Sequence, residues 1–247
     1  WNSEGTNPFT VQRSGWGRDD LFVGLKAGKA HVSHGHQDIG SFVLDRDGVR
    51  WAEDIGSDDY HRIEQVIGMD LWDGHAGSRR WSVYRLGVRS HNTLMIGDDD
   101  QTVSGVAQVL SVETGALSRV TLDLTPAYAS ARRVVRRGEI LAGRNYRLTD
   151  TIEGVKAGSP VRWAMFAKCV SDTLFTASST GDAVRGSRAR MQSANFAMCA
   201  TSSASTGFVS DTCVASPPAF HSLTIPPFSS SSSASSFAFS TTAPPSP

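Results

Sequence analysis

Between about residue 20 and residue 168, no window of a dozen residues keeps apolar side chains at i, i+3, i+4 and i+7. The apolar residues come instead in short alternating or β-branched runs: LFVGLKAG, SFVLDRDGVRWAED, NTLMIGD, VAQVLSVET, LSRVTLDL, RRVVRR, NYRLTDTIEG and VRWAMFAK, separated by Gly, Asp and Ser. Alternation puts every second side chain on one face, the period of a strand that is buried on one side. Many such strands in close succession predict an all-β, antiparallel β-sandwich rather than alternating β and α units. Within SFVLDRDGVRWAED, Asp47-Gly48 separates two runs and predicts a tight hairpin turn, with Phe42, Leu44, Val49 and Trp51 on one face. Residues 61–75 have room for a turn or two of helix, which Gly68 and Gly74 interrupt.

The pattern stops near residue 168. Beyond Arg190 the only charged residue is Asp211, while Ser, Ala, Thr and Pro dominate as far as SSSSSASSFAFSTTAPPSP. The expected organisation is therefore a β domain over residues 1–168 and a tail over 169–247. That tail is either disordered, because it holds too little apolar surface to offset the entropy of ordering, or the product of a changed reading frame. Lys plus Arg equal Asp plus Glu at 24 each, so whole-chain charge gives no case for a nucleic-acid partner. No apolar run approaches the length of a membrane span. Three cysteines, Cys169, Cys199 and Cys213, are an odd, widely spaced set without a CxxC pair, and indicate neither a disulfide framework nor a cysteine zinc site. The start at Trp1, without a basic-then-apolar leader, reads as a fragment or a processed chain.

Chemistry concentrates in HVSHGHQDIGSF, residues 31–42. His34 and His36 are two apart, so on an extended backbone both imidazoles project from one face. Imidazoles with a carboxylate are what a zinc-type ion prefers, and Asp38, Asp54 and His91 are the candidate partners. The competing reading is that each histidine is a hydrogen-bonded structural residue beside a strand, and His31, His61, His75 and His221 are read so. A rival chemistry is also spelled out. His36-Gln37-Asp38 with His91 matches the two-histidine, one-carboxylate pattern of non-haem iron oxygenases. Those enzymes want an arginine about ten residues past the second histidine, and the first here is Arg119.

FTVQRSGWGRDDLFVGLKAG, HGHQDIGSFVLDRDGVRWAEDIGSDDYH and SRRWSVYRLGVRSHNTLMIGDDDQ together resemble the C-terminal domain of the heparinase II/III-like polysaccharide lyases, over roughly residues 9–168. The resemblance implies a β-sandwich that packs on an N-terminal α/α-toroid, with the active site between them. It implies β-elimination on uronic-acid glycans such as heparin, heparan sulfate or alginate. His34 would help to neutralise the uronate carboxylate, and His36, Asp54 and His91 would hold zinc or a similar ion in an organising role. Asp38 is then expected to accept from nearby backbone N–H groups. Tyr84, Arg85 and Arg89 are candidates for the substrate cleft, since a polyanionic sugar wants guanidinium forks and aromatic faces, or else they form a solvated strand face. The base and acid of relatives come from the toroid, which these residues do not include, so the chain alone is expected to be catalytically incomplete. The resemblance further implies a periplasmic or secreted protein. A non-catalytic carbohydrate-binding β-sandwich module is the alternative from a different class.

Overall fold

The computed structural model describes residues 1–142, 145–155 and 159–167, together with the backbone of four later strands. The first sheet is an antiparallel meander of β1 (Phe9–Arg13), β2 (Phe22–Lys26), β3 (Phe42–Arg46) and β4 (Val49–Ala52). A helix, α1 (Tyr60–Ile67), and two short 3-10 turns, Arg79–Ser82 and Val88–Ser90, lead to β5 (Leu94–Ile96). Then come β6 (Gln108–Glu113), β7 (Arg119–Asp123), β8 (Arg133–Leu141), β9 (Asn145–Glu153) and β10 (Val161–Ala167). The later strands are β11 (Thr173–Asp182), β12 (Arg190–Ala200), β13 (Ala219–Ile225) and β14 (Ser235–Thr242).

Seven strands form the second sheet, in the order β11-β12-β14-β9-β8-β7-β6, and β13-β10-β5 make a small third one. Val23, Leu25, Phe42 and Leu44 on the first sheet, with Leu21 just ahead of it, share one core cluster with Val120, Leu122, Val134, Leu148 and Ile152 on the second, and with Leu94, Ile96, Val161 and Trp163 on the third. Two sheets burying their inner faces on each other make the sandwich that the alternation predicts. Each of these side chains contributes about 1.5–3 kcal/mol on burial.

The hairpin turn is where Asp47-Gly48 puts it. Both residues take positive φ, 53° and 71°, the left-handed pair of a two-residue turn matched to strand twist. Trp51 packs half-buried against the core that Phe42 and Leu44 enter, but strict alternation breaks beside it: the register shifts at Leu44/Asp45, so that Leu44 pairs with Ala52 and Asp45 with Arg50. Trp51 is the extra residue of this bulge, and Ala52 is the buried one. The helix in 61–75 is one unit, with Asp59 capping its start by accepting from Arg62 N and Gly68 ending it at φ 63°. β1 lies ahead of the region where alternation was visible, and β8 runs on past Arg137. Much of the 169–247 segment, including the residues between β11, β12, β13 and β14, lies outside the described residues, as do the side chains of its three cysteines and His221. Among the described residues no helix is long and apolar enough to cross a membrane.

Candidate active site

The HVSHGHQDIGSF segment is a succession of turns between β2 and β3, not an extended strand. His34 and His36 therefore do not share a face by strand alternation. His34 takes φ 57°, a conformation that side-chain-bearing residues adopt rarely and that is concentrated at functional sites. Gly35 allows the tight fold, since a Cβ there would sit 2.0 Å from Ala30 O. The result splits the two histidines. His34 is exposed, with its ring against Trp72 (centres 4.9 Å apart) and Tyr60 (5.4 Å), whereas His36 turns inward against His91.

Arg80 holds this turn from behind. Although only 3% exposed, it donates to Gly35 O (2.7 Å), to the Tyr60 hydroxyl (2.9 Å) and to Leu71 O. One buried guanidinium thus fixes the peptide between His34 and His36 and the aromatic wall beside His34. It also packs over the rings of Tyr60 and Trp81.

His91, Asn92 and Thr93 act together. His91 is fully buried and its Nδ1 donates to Asp54 Oδ2 at 2.9 Å, while Asp54 Oδ1 accepts from Gly56 N. Asn92 donates to Phe42 O and Glu53 O and accepts from Phe166 N, so one amide ties β3, the end of β4 and β10 together. Thr93 Oγ1 donates to Ile39 O. Beneath them lies a second ion pair, Arg136–Asp150, fully buried and bidentate at 2.7 Å for both bonds. Arg136 Nη1 reaches on to Gly40 O and Asn92 O, which couples the second sheet to both histidine segments.

The structure thus brings His36, Asp54 and His91 into one cluster, with the His36 and His91 ring centres 5.2 Å apart. Nδ1 faces Asp54, and Nε2, the other ring nitrogen of His91, is a buried atom without a hydrogen-bond partner. Burial, then the neighbouring His91, lower the His36 pKa to about 4, against the opposing pull of Asp38 and Asp54, so His36 is a neutral imidazole at pH 7. Burial raises the Asp54 pKa, but the bonds from His91 and Gly56 outweigh it and hold the carboxyl below its usual value. Two imidazoles with available lone pairs beside a carboxylate fit the donor set of a zinc-like ion. Among the described residues no three His, Cys, Asp or Glu side chains converge as a closed ligand set; Asp54 engages His91 instead, the way a carboxylate orients a ligating imidazole.

The other candidates part company. Asp38 forms an ion pair with Lys26 rather than collecting backbone N–H groups, which also leaves the oxygenase triad without its carboxylate. Tyr84 and Arg89 line one cavity of about 360 Å³ with Arg162 and Asp98, Asp99 and Asp100, where burial raises the Asp100 pKa against the pull of Arg89. Arg85 is elsewhere: it donates to Ile55 O and pairs with Asp58 at 3.0 Å, bracing the loop that carries Asp54. Tyr60, Trp72, Arg80 and Asn92 were not singled out from the sequence. Asn92 follows His91 in RSHNT and so was in view, but nothing in SRRW distinguishes a buried arginine from a surface one.

Comparisons with known proteins fall on the same fold. The family model "Heparinase II/III-like, C-terminal" matches residues 4–219, past the boundary expected at 168. A crystal structure of heparinase III is similar over 70% of this chain and 25% of that one, with 20% identity and a TM-score of 0.53. Heparan sulfate lyase HepC from Pedobacter heparinus is similar over 68% of this chain and 24% of that one, with 22% identity and a TM-score of 0.53. A further heparinase III covers 71% and 27%, with 17% identity and a TM-score of 0.55. The chain therefore spans about a quarter of the length of these structures. No curated protein matches it in sequence.

Proposed function

Since the chain belongs to the heparinase II/III-like polysaccharide lyase family through its C-terminal domain, we propose that it forms the β-sandwich half of an active site that cleaves uronic-acid glycans such as heparin, heparan sulfate or alginate by β-elimination. The observation that carries this reading is the division of labour around Gly35: His34 faces solvent on an aromatic wall, while His36 turns in to His91 and Asp54.

β-Elimination needs three things: a neutralised uronate carboxylate, a base for the C5 proton and an acid for the departing oxygen. His34 supplies the first, by donating to the carboxylate from a ring that Trp72 and Tyr60 hold in place. His36, Asp54 and His91 would hold the zinc-like ion, which contributes a fixed junction between the turn, the end of β4 and the approach to β5. Tyr84 and Arg89, with Arg162, line a cavity shared with Asp98, Asp99 and Asp100 whose guanidinium side would bind sugar and anionic groups, and Arg85 positions Asp54. The base and the acid come from an N-terminal toroid, in keeping with the greater length of the similar lyase structures. Acting on an acidic polysaccharide, the protein would work in the periplasm or outside the cell.

The test is to incubate the protein, alone and joined to a toroid domain, with heparan sulfate and with alginate, and to follow the absorbance of the C4–C5 unsaturated product. Joined protein yields it, and His34→Ala lowers the rate by about 10²–10⁴-fold, the size of a lost proton-handling or charge-neutralising group. Saturable glycan binding without unsaturated product would instead favour a carbohydrate-binding module.

A further inference from the structure

A second pair of imidazoles lies outside the cluster described above. The rings of His31 and His75 stand 5.2 Å apart, centre to centre, at 70° to one another, and both residues are exposed. We propose that they form a two-imidazole site for a borderline divalent transition ion such as zinc, nickel or copper.

The spacing suits such an ion. A ring nitrogen about 2 Å from zinc puts the ring centre about 3 Å from the metal, and two rings at a tetrahedral angle then have centres about 5 Å apart. The backbone on both sides is fixed: His31 N donates to Val103 O at 3.3 Å, His75 N donates to Asp73 Oδ1 at 3.1 Å, and His75 O accepts from Trp81 Nε1 at 2.9 Å. Gly74 provides an independent sign that the approach is built in. A Cβ at 74 would lie 3.2 Å from His31 Cδ2, tighter than ordinary contact, so the residue before His75 is one that lets the two loops close. Imidazole nitrogen selects zinc, copper and nickel over magnesium and calcium, which want oxygen. Among the described residues no third His, Cys, Asp or Glu completes the set, so water fills the remaining positions and the ion exchanges.

The placement gives the ion a task. His31 precedes His34 by three residues, and His75 follows Trp72 by three, while Trp72 and His34 are in ring contact. An ion bridging His31 and His75 cross-links the two segments that present the His34 wall. The site does not depend on the lyase reading, because it uses none of the residues of the inner cluster.

Calorimetric titration of the metal-stripped chain with Zn²⁺ at pH 7.5 tests it. Wild type shows a class of one ion that persists in His36→Ala, and His31→Ala and His75→Ala each weaken that class at least tenfold. Gly74→Ala, with the fold checked by circular dichroism, weakens it in the same direction. His36→Ala leaves it intact, so loss of the inner site and loss of this one are separable. Absence in folded wild type of any zinc class that persists in His36→Ala, or survival of that class at unchanged affinity in both His31→Ala and His75→Ala, overturns the proposal.

Discussion

Two acid–base pairs meet at the His91-Asn92-Thr93 segment, and they differ in burial and in saturation. Arg136–Asp150 is fully buried, bidentate, and extended by bonds from Arg136 to Gly40 O and Asn92 O. His91–Asp54 has a bond of similar length, 2.9 Å, yet leaves His91 Nε2 buried and without a partner. A saturated buried pair fixes one conformation; an unsaturated one carries a penalty of about 1–3 kcal/mol unless something completes it. The first pair is closed on itself, whereas the second leaves one buried ring nitrogen where the proposed ion would bind. The histidines repeat the contrast: His36 is turned inward and kept neutral, while His34 is turned outward in a backbone conformation rare for its type.

Removing half of the saturated pair has the largest expected effect. Asp150→Ala strands a buried guanidinium and costs about 3–5 kcal/mol, read as a lower midpoint in urea unfolding. If that variant were as stable as wild type, the structural half of the contrast would fail. Asn92→Ala comes next. It removes three bonds, two buried ones to Phe42 O and Phe166 N and a part-buried one to Glu53 O, and lowers stability by about 2–4 kcal/mol. Because it also frees the strand that positions His91, a thermal melt of this variant is expected to lose its dependence on added zinc.

The unsaturated half is exposed by pH. The folded-state pKa of His36 is lowered, so between about 6.5 and about 4 the unfolded chain binds more protons than the folded one, and stability falls as pH falls through that window. The loss is on the order of 2–3 kcal/mol in the metal-free chain, and His36→Gln flattens it. Asp54 adds a further loss below its usual carboxyl range, since its folded pKa is also lowered. The smallest effect belongs to Arg85→Gln. Its ion pair with Asp58 is half exposed, so stability changes by less than about 1 kcal/mol. Zinc affinity still drops several-fold, because the loop after Asp54 loses its brace at Ile55 O.

Much of the scaffold was legible in the sequence, for a physical reason. Alternation is a local signal, and the runs that became β2 to β10 carry it within single strands; Asp47-Gly48 marks its own turn because few pairs accept positive φ twice. The bulge at Trp51 was not legible, because a register shift depends on what the partner strand offers. The site divides along the same line. His34, His36, Asp54 and His91 were singled out from the sequence, and the structure gathers the last three. The outward turn of His34, the grip of Arg80 on Gly35 and the pairing of Asp38 with Lys26 are long-range outcomes, without a signature in nearby residues.

If His36 and His91 are a ligand-ready pair beside an open His34, the chain retains a zinc ion that depends on both. Elemental analysis of zinc in the purified chain, after loading and gel filtration, addresses it most directly, with wild type beside His36→Ala, His91→Ala and His34→Ala. Close to one retained ion per chain is expected in wild type and His34→Ala, with loss of it in the other two. A folded wild-type chain that retains no zinc, or a His91→Ala chain that retains as much as wild type, would contradict it.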